Sequence, residues 1–268
     1  MSTEKKIISI DAMGGDKAPV AVLGGMNQFL FQNGESSVFF RVFGDEKYLR
    51  KLLIKYPRVA RNCEIIHSSE KIQSGARVRE VIRSAQNTSM YMAIKDVREG
   101  NSAAVVSAGN TGVLMALSKL ALKTIDGISR PAITTMLPSG GGDKRVAILD
   151  LGANVQCDEE NLFDFALLGS VYAEAIGKMK KPKVGILNIG EEDTKGNETL
   201  QNLNKLLISH KDELPYDYIG FIEGNDISGG NVQVVVTDGF TGNIVLKTVE
   251  GTAKLIKRVV MDNLKKSI

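Results

Sequence analysis

A glycine-containing turn near the middle of the sequence carries residue types that bind anions. The segment 103–122, AAVVSAGNTGVLMALSKLAL, opens with a short apolar run that predicts a buried strand. The polar turn SAGNTG at 107–112 follows, and an apolar helix is predicted from Val113. The first N–H groups of a helix lack internal partners and its dipole favours negative charge, so this turn is typical of an anion site. The alternative is a capped helix after a strand, with Thr111 or Asn110 as its N-cap residue.

The same order of strand, polar loop and helix recurs along the chain. Five side chains come directly after an apolar run and have glycine close behind them: Asp11, Asp150, Asn188, Glu223 and Asp238. In open α/β sheets the ligand crevice lies outside the carboxyl ends of the strands. We therefore expect these loops to converge on one crevice, since five such loops are hard to explain as turns alone.

Apolar runs and amphipathic stretches alternate and define the elements that position these loops. The predicted strands are 6–10, 38–43, 64–67, 103–106, 132–137, 145–149, 184–188, 218–222 and 232–237. The predicted helices are 20–33, 46–56, 78–84, 89–99, one from 113, 161–176, 200–209 and one after 243.

This alternation indicates βαβ units and a mostly parallel sheet. The strands around the turn PSGGGD at 138–143 predict a hairpin that is antiparallel in part. No linker rich in Pro or Ser interrupts the chain, so we expect a single α/β domain over 1–268, with a C-terminal amphipathic helix at about 244–266.

Composition excludes several classes of protein. The 268 residues are 43% hydrophobic and 24% charged, which is ordinary for a globular protein, and a net charge of +3 is too small to indicate nucleic-acid binding. No run of 18 apolar residues predicts a membrane span, and the start MSTEKK lacks the apolar region of a secretory signal. We therefore expect a cytoplasmic protein, with Cys63 and Cys157 as buried or incidental thiols.

The residue inventory also disfavours several mechanisms. The only two histidines, His67 and His210, lie outside the glycine loops, which disfavours a Ser-His-Asp or Cys-His arrangement. No metal-ligand pattern, GxGxxG fingerprint or Walker motif is found, so we expect neither a metal nor a cofactor. Backbone amides, Asn and Thr donors, several carboxylates and Lys195 in the loop GEEDTKGNE remain. A lysine in such a loop either reaches a phosphate or is simply solvated.

These donors, carboxylates and the lysine suit a reaction whose nucleophile is a substrate rather than a side chain. Inorganic phosphate is partly dianionic near neutral pH and needs only binding, orientation and donors for a developing oxyanion.

Long motifs along the whole chain carry a family resemblance. They are IDAMGGDKAP at 10–19, VSAGNTGVLMA at 106–116, RPAI at 130–133, LDLGANVQC at 149–157, KVGILNIGEEDTKGNE at 183–198, GFIEGNDI at 220–227 and VVVTDGFTGNIVLKTVEG at 234–251. On these motifs the sequence closely resembles the bacterial phosphate acyltransferases of the PlsX family.

The resemblance implies a three-layer α/β/α Rossmann-like fold, akin to isopropylmalate dehydrogenase and phosphotransacetylase. It also implies that an acyl group passes from acyl carrier protein to inorganic phosphate, giving acyl phosphate for phospholipid synthesis. The implied partners are a second copy of the chain and the membrane glycerol-3-phosphate acyltransferase that uses acyl phosphate. Family members continue past this sequence with a segment resembling YGGAPLLG, so we expect 1–268 to be a C-terminally truncated form.

The residues and the resemblance together give a hypothesis for the site. We expect phosphate to bind at the helix after Ser107, held by Asn110, Thr111 and Lys195. The expected catalytic residues, including oxyanion donors, are Lys195, Asn154, Asn188 and Asp238. The expected phosphate-binding residues are Asp11, Gly14, Gly15, Asp16, Ser107, Gly109, Asn110, Thr111, Gly112, Gly196, Asn197, Gly239, Thr241, Gly242 and Asn243. Asp11, Asp16 or Asp238 would orient donors or take a proton, and these alternatives stay open.

Basic and amphipathic stretches predict partner surfaces. An acidic carrier protein would dock on a basic face, either Arg77, Arg79 and Arg83 or Lys178, Lys180, Lys181 and Lys183, unless these are solvated faces. The last predicted helix has an apolar stripe and a lysine-rich side. This pattern suits peripheral contact with the inner face of the membrane, or packing on a dimer partner or a further helix.

Three alternatives to the acyl carrier protein reaction remain. One is a phosphotransacetylase acting on acyl-CoA, which also transfers an acyl group from a thioester to phosphate. A dehydrogenase of the isopropylmalate type is disfavoured by the missing cofactor fingerprint, and a truncated chain could be a non-catalytic remnant.

Overall fold

The structure, a computed structural model, describes residues 5–35, 38–73 and 75–266. The chain divides into two compact units, Met1–Ile125 (unit 1) and Asp126–Ile268 (unit 2). Each unit has its own sheet and is described by itself. The single domain expected over 1–268 stays a prediction.

The described residues of unit 1 form a sheet of four parallel strands in the order β3-β2-β1-β4. The strands are β1 (Lys6–Asp11), β2 (Val38–Gly44), β3 (Cys63–His67) and β4 (Ala104–Ser107). The helices are α1 (Val20–Asn33), α2 (Glu46–Leu53), α3 (Pro57–Arg61), α4 (Val78–Ser84), α5 (Ser89–Arg98) and α6 (Thr111–Leu122), with a 3₁₀ turn at Ala85–Asn87.

Helices cover both faces of this sheet, because successive strand side chains point to opposite sides. Ile8 and Ile10 of β1 pack with Leu23 and Leu30 of α1 in one apolar cluster. On the other face, Val105 of β4 packs in a second cluster with α4, α5 and α6. Unit 1 is therefore a three-layer α/β/α structure.

A buried carboxylate ties α5 to the sheet of unit 1. Asp96 accepts hydrogen bonds from Ser9 (2.7 Å) and Ser102 (2.6 Å), and Arg41 of β2 lies 3.0 Å from the same carboxylate. Burial by itself would raise the pKa of Asp96. The hydrogen bonds from Ser102 and Ser9 and the charge of Arg41 outweigh burial and hold the pKa below its ordinary value of 3.8.

In the described part of unit 2, the sheet has five strands in the order β5-β6-β9-β7-β8. They are β5 (Thr134–Pro138), β6 (Arg145–Leu149), β7 (Lys183–Leu187), β8 (Asp217–Ile222) and β9 (Val234–Val236). The predicted antiparallel hairpin is confirmed, since β5 pairs antiparallel with β6 while the other pairs are parallel. The helices are α7 (Glu159–Gly177), α8 (Glu198–Ser209), α9 (Asp226–Gly229) and α10 (Gly239–Lys266).

Unit 2 is layered in the same way. Leu149 and Ile186 face α7 and α8 in one cluster, whereas Ile148 and Val235 face α9 and the start of α10 in another. The predicted three-layer α/β/α class with mostly parallel strands is thus confirmed.

The helix α10 is largely exposed beyond its first turns. Val245 and Leu246 pack against the core of unit 2, while Leu255, Ile256 and Val259 are each at least half exposed. Among the described residues, no helix combines the length and apolarity needed to cross a membrane.

Most predicted elements match the observed ones within two residues. Two predictions were wrong. The C-terminal helix expected at about 244–266 begins at Gly239, where Asp238 caps it. The helix expected over 46–56 ends at Leu53, and a separate helix, Pro57–Arg61, follows it. Tyr56 precedes a proline, which disfavours the helical conformation at that residue. The short helix α9 was not predicted, because four residues are too few to show a helical period.

The lowered pKa of Asp96 predicts pH-dependent stability. A carboxyl group with a lowered folded-state pKa stabilises the fold above its unfolded value, here 3.8, and this contribution is lost as the pH falls through the folded pKa. Asp96→Asn should lower the free energy of unfolding by roughly 2 kcal/mol at pH 7 and by less at pH 3 in urea unfolding. The exposed control Asp143→Asn should change neither value. An equal loss for Asp96→Asn at both pH values would contradict the role of its charge.

Candidate functional site

The register of unit 1 brings the end of β1 beside the turn that opens α6. Asp11 is the register partner of Ser107, although 96 residues separate them. The Ser107 hydroxyl donates to Asp11 Oδ2 at 2.6 Å, and its oxygen accepts the Gly109 N–H at 3.0 Å. One hydroxyl therefore links the first strand to the SAGNTG turn.

The Asp11 carboxylate is buried and held by donors from three elements. It is 1% exposed, and its Oδ1 accepts from the Ser89 hydroxyl of α5 at 2.7 Å and from the Met13 N–H at 3.2 Å. Because a buried carboxylate without donors is strongly destabilising, these bonds fix its position.

A cleft of about 300 Å³ opens beside this carboxylate in unit 1. Its walls include Asp11, Gly14, Gly15, Asp16, Ser89, Gly109 and Asn110. Asn110 caps α6, since its Oδ1 accepts the Val113 N–H at 3.0 Å, and Thr111 and Gly112 form the first turn of that helix. Asn110 therefore caps α6, as the capped-helix alternative requires, and also lines the cleft.

Gly14 is the tightest position of the cleft. A Cβ there would lie 2.8 Å from Ser107 Oγ and 2.9 Å from the Gly109 nitrogen, and closer still to Asp11. Real Cβ atoms do not approach other atoms so closely, so any larger residue must displace the hydroxyl, the turn or the carboxylate.

In unit 2, Asp150 organises the loop that follows β6. It is fully buried and accepts four hydrogen bonds, from the backbone of Ile133 (2.9 Å), Ala153 (3.0 Å) and Asn154 (2.7 Å) and from Asn154 Nδ2 (3.0 Å). Asn154 Nδ2 also donates to the Pro131 carbonyl at 2.8 Å. Both amide hydrogens of Asn154 are therefore engaged within the protein.

The start of α10 lies against this loop. The Gly239 N–H donates to the Asn154 carbonyl at 2.8 Å, and a Cβ at Gly242 would collide with the Asp150 carbonyl oxygen. Asp238 caps α10, accepting from the Thr241 N–H at 2.8 Å and hydroxyl at 3.0 Å. The Asn243 side chain lies close to Gly152.

The loop after β7 carries Asn188 and Lys195. Asn188 Oδ1 accepts the Ile189 N–H at 2.9 Å, while its Nδ2 is buried and has no hydrogen-bond partner among the described residues. Gly196, with φ of 83°, passes so close that a Cβ there would collide with the Asn188 amide. Lys195 is exposed, and Asn197 caps α8.

Four of the five strand-end residues lie along one edge of the sheet in unit 2. Asp150, Asn188, Glu223 and Asp238 follow the parallel strands β6, β7, β8 and β9. Asp11 lies in unit 1 with the SAGNTG turn. The expected site residues thus form two groups, one in each unit.

Cys157 lies beside the Asp150 loop without the properties of a nucleophile. Burial, followed by the charges of Asp150 and Asp238, raises the pKa of its thiol to about 11. A thiol with this pKa stays protonated near neutral pH, and the thiolate is the reactive form.

Two partners of the site were missed by sequence reasoning. Ser89 donates to Asp11 across 78 residues, and Ile133 donates to Asp150 across 17. No local pattern marks either contact. The start of a predicted helix at Ser89 was the nearest available signal.

Comparison with solved structures identifies the class of fold. A phosphotransacetylase of Streptococcus pyogenes matches with a TM-score of 0.69 at 15% identity, covering 94% of this chain and 83% of that one. The EutD phosphotransacetylase of Staphylococcus aureus matches with a TM-score of 0.67 at 19% identity, covering 94% and 84%. At such low identity the likeness shows the fold alone.

Sequence comparison identifies the family. The family model described as "Fatty acid synthesis protein" matches residues 6–268. The phosphate acyltransferases of Paramagnetospirillum magneticum and Maricaulis maris are each 44% identical over 261 residues, covering 97% of this chain and 73% of each relative. The chain therefore belongs to the phosphate acyltransferase family and is an enzyme of that type.

The close approach at Gly14 gives a direct test of the cleft. Gly14→Ala should lower phosphate-dependent acyl transfer at least tenfold, because the added methyl group displaces Ser107 or Asp11. Gly25→Ala on α1 is the matched control, since a Cβ there meets nothing within 4 Å. Initial rates measure both variants. Wild-type activity in Gly14→Ala would show that the cleft is not used.

Proposed function

We propose that this enzyme transfers a fatty acyl group from acyl carrier protein to inorganic phosphate. The observation that carries the proposal is the cleft at the N-terminus of α6, where glycine loops surround a fixed carboxylate. The names of the relatives support phosphate as the acceptor. The acyl phosphate would then serve the membrane glycerol-3-phosphate acyltransferase in phospholipid synthesis.

In this proposal the cleft of unit 1 binds phosphate. The N–H groups in the first turn of α6 donate to phosphate oxygens, and the dipole of this 12-residue helix favours the negative charge. The hydroxyl of Thr111 adds a donor. Asp11 accepts the proton that remains on hydrogen phosphate, since its buried carboxylate lines the cleft in a fixed position.

A phosphate oxygen then attacks the thioester carbonyl carbon. The new carbon–oxygen bond forms as the carbonyl becomes an oxyanion. The carbon–sulfur bond breaks next, and the carrier leaves as a thiolate that takes up a proton. No side chain needs to become acylated, which accords with the raised pKa of Cys157.

In unit 2 we propose that Asn188 donates to an oxyanion and that the Lys195 ammonium contributes its charge to phosphate binding. The Asn188 Nδ2 lacks a partner among the described residues, whereas the amide of Asn154 is already engaged. Asn154 and Asp238 then act by shaping the loop at the start of α10. Gly196 and Asn197 lie between β7 and α8, and Gly239, Thr241, Gly242 and Asn243 lie in the first turns of α10.

For the carrier protein we favour α4 as the docking face. Arg77, Arg79 and Arg83 are exposed, and α4 follows Gly75, which lines the cleft. The lysines at 178–183 instead lie where β7 begins, at the opposite edge of the sheet of unit 2 from Asn188. The homodimer and peripheral membrane contact, for which the exposed stripe of α10 is suited, are part of the same proposal.

Loss of the Lys195 charge tests its role. Lys195→Ala should raise the phosphate KM about tenfold or more, because a charge-assisted contact is lost, with a smaller change in kcat. Lys205→Ala, an exposed lysine on α8, removes the same charge and should leave the phosphate KM unchanged. An unchanged phosphate KM in Lys195→Ala would remove Lys195 from the proposal.

The acyl donor distinguishes the proposed reaction from the phosphotransacetylase alternative. Thiol release that depends on phosphate should be faster with acyl-acyl carrier protein than with acyl-CoA, and added salt should slow only the carrier reaction by screening α4. A preference for acyl-CoA would favour the alternative. No phosphate-dependent cleavage of either donor would indicate a non-catalytic chain.

A further inference from the structure

A chain of hydrogen-bonded polar groups, buried at its inner end, reaches from the sheet of unit 2 into the loop that carries Lys195. The Tyr218 hydroxyl of β8 donates to Asn204 Oδ1 at 2.6 Å. Asn204 Nδ2, on α8, donates to Asp193 Oδ1 at 2.9 Å. Asp193 stands two residues before Lys195, so the relay of Tyr218, Asn204 and Asp193 ends at the loop.

The inner members of this relay are rigidly placed. Tyr218 and Asn204 are each 2% exposed, and Tyr218 belongs to the apolar core between the sheet and the helices α7 and α8. Burial, with added repulsion from Tyr216 and Asp193, raises the pKa of Tyr218, so its hydroxyl remains a donor. A buried amide whose partners are fixed has little freedom to reorient.

The same helix holds the backbone on both sides of Lys195. Gln201 Nε2 donates to the carbonyls of Thr194 (2.9 Å) and Gly196 (3.3 Å), which flank the lysine. Within the described residues, the Lys195 ammonium makes no ion pair of its own. Its backbone is tethered while its charge is available.

We infer that the Tyr218–Asn204–Asp193 relay positions Lys195 for an anionic substrate. The inference rests on the proposed role of Lys195. These three are positioning residues, since they act through the loop and do not touch the substrate. Ordering the loop before binding lowers the entropy lost when the ammonium meets an anion, so the relay should act on phosphate affinity.

The core offers a matched control for Tyr218. Tyr216 is buried to the same degree, but its hydroxyl has no hydrogen-bond partner among the described residues. Tyr218→Phe and Tyr216→Phe therefore remove the same atom from the same core, and only the first breaks the relay. Tyr218→Phe should raise the phosphate KM about fivefold with kcat within twofold, and Tyr216→Phe should leave both unchanged.

The exposed end of the relay provides a second pair that does not disturb the core. Asp193→Ala removes the acceptor, whereas Asp193→Asn removes the same charge and keeps an acceptor oxygen for Asn204. Asp193→Ala should raise the phosphate KM about fivefold, and Asp193→Asn should restore most of the wild-type value. Hydrogen exchange in 189–197 should be faster in Asp193→Ala and Tyr218→Phe.

A double-mutant cycle separates positioning from a general structural effect. In a Lys195→Ala background, Tyr218→Phe should add nothing to the phosphate KM, because the group that it positions is gone. An equal rise in both backgrounds would overturn the inference, as would a rise in Tyr216→Phe or an unchanged KM in Tyr218→Phe. The single variant Lys195→Ala tests the proposed role of Lys195. An unchanged phosphate KM in that variant would contradict this role, whereas the Tyr218 variants test only the positioning of Lys195.

Discussion

Buried carboxylates need hydrogen-bond donors, and this requirement fixes the loops at the strand ends of both units. In unit 1, Asp11 takes its donors from Ser107, Ser89 and Met13, and so joins two strands and a helix. In unit 2, Asp150 takes four hydrogen bonds from the segments around Ile133 and Asn154. Each loop adopts a conformation that donates hydrogen bonds to its carboxylate. A buried acceptor without a donor would destabilise the fold by about 1–3 kcal/mol.

The two carboxylates have different surroundings. Asp150 accepts four hydrogen bonds from its own loop and from Ile133, so its role is to hold that loop. Asp11 is held as firmly but faces a cleft, where a fixed carboxylate beside a helix N-terminus can both orient and deprotonate hydrogen phosphate. A preorganised site of this kind needs no nucleophilic side chain, because the substrate supplies the nucleophile.

Much of the fold followed from sequence periodicity, while the contacts that complete each site did not. Alternating strands and helices predicted the parallel sheets and placed polar residues at their carboxyl ends, since that order is local in sequence. The bond from Ser89 to Asp11 spans 78 residues, and the engagement of Asn154 by Pro131 spans 23. Sequence reasoning gave Asn154 and Asn188 the same role. Only packing shows that Asn154 Nδ2 has partners while Asn188 Nδ2 has none among the described residues.

The crowding around Gly14 limits how the site can change over evolutionary time. Any side chain at position 14 requires room from Ser107, Gly109 or Asp11, and these are the groups that define the cleft. A second substitution that made room would release the carboxylate from its donors. A change at position 14 therefore requires a second change among the groups that define the cleft. We expect active members of the family to keep glycine at this position for that reason.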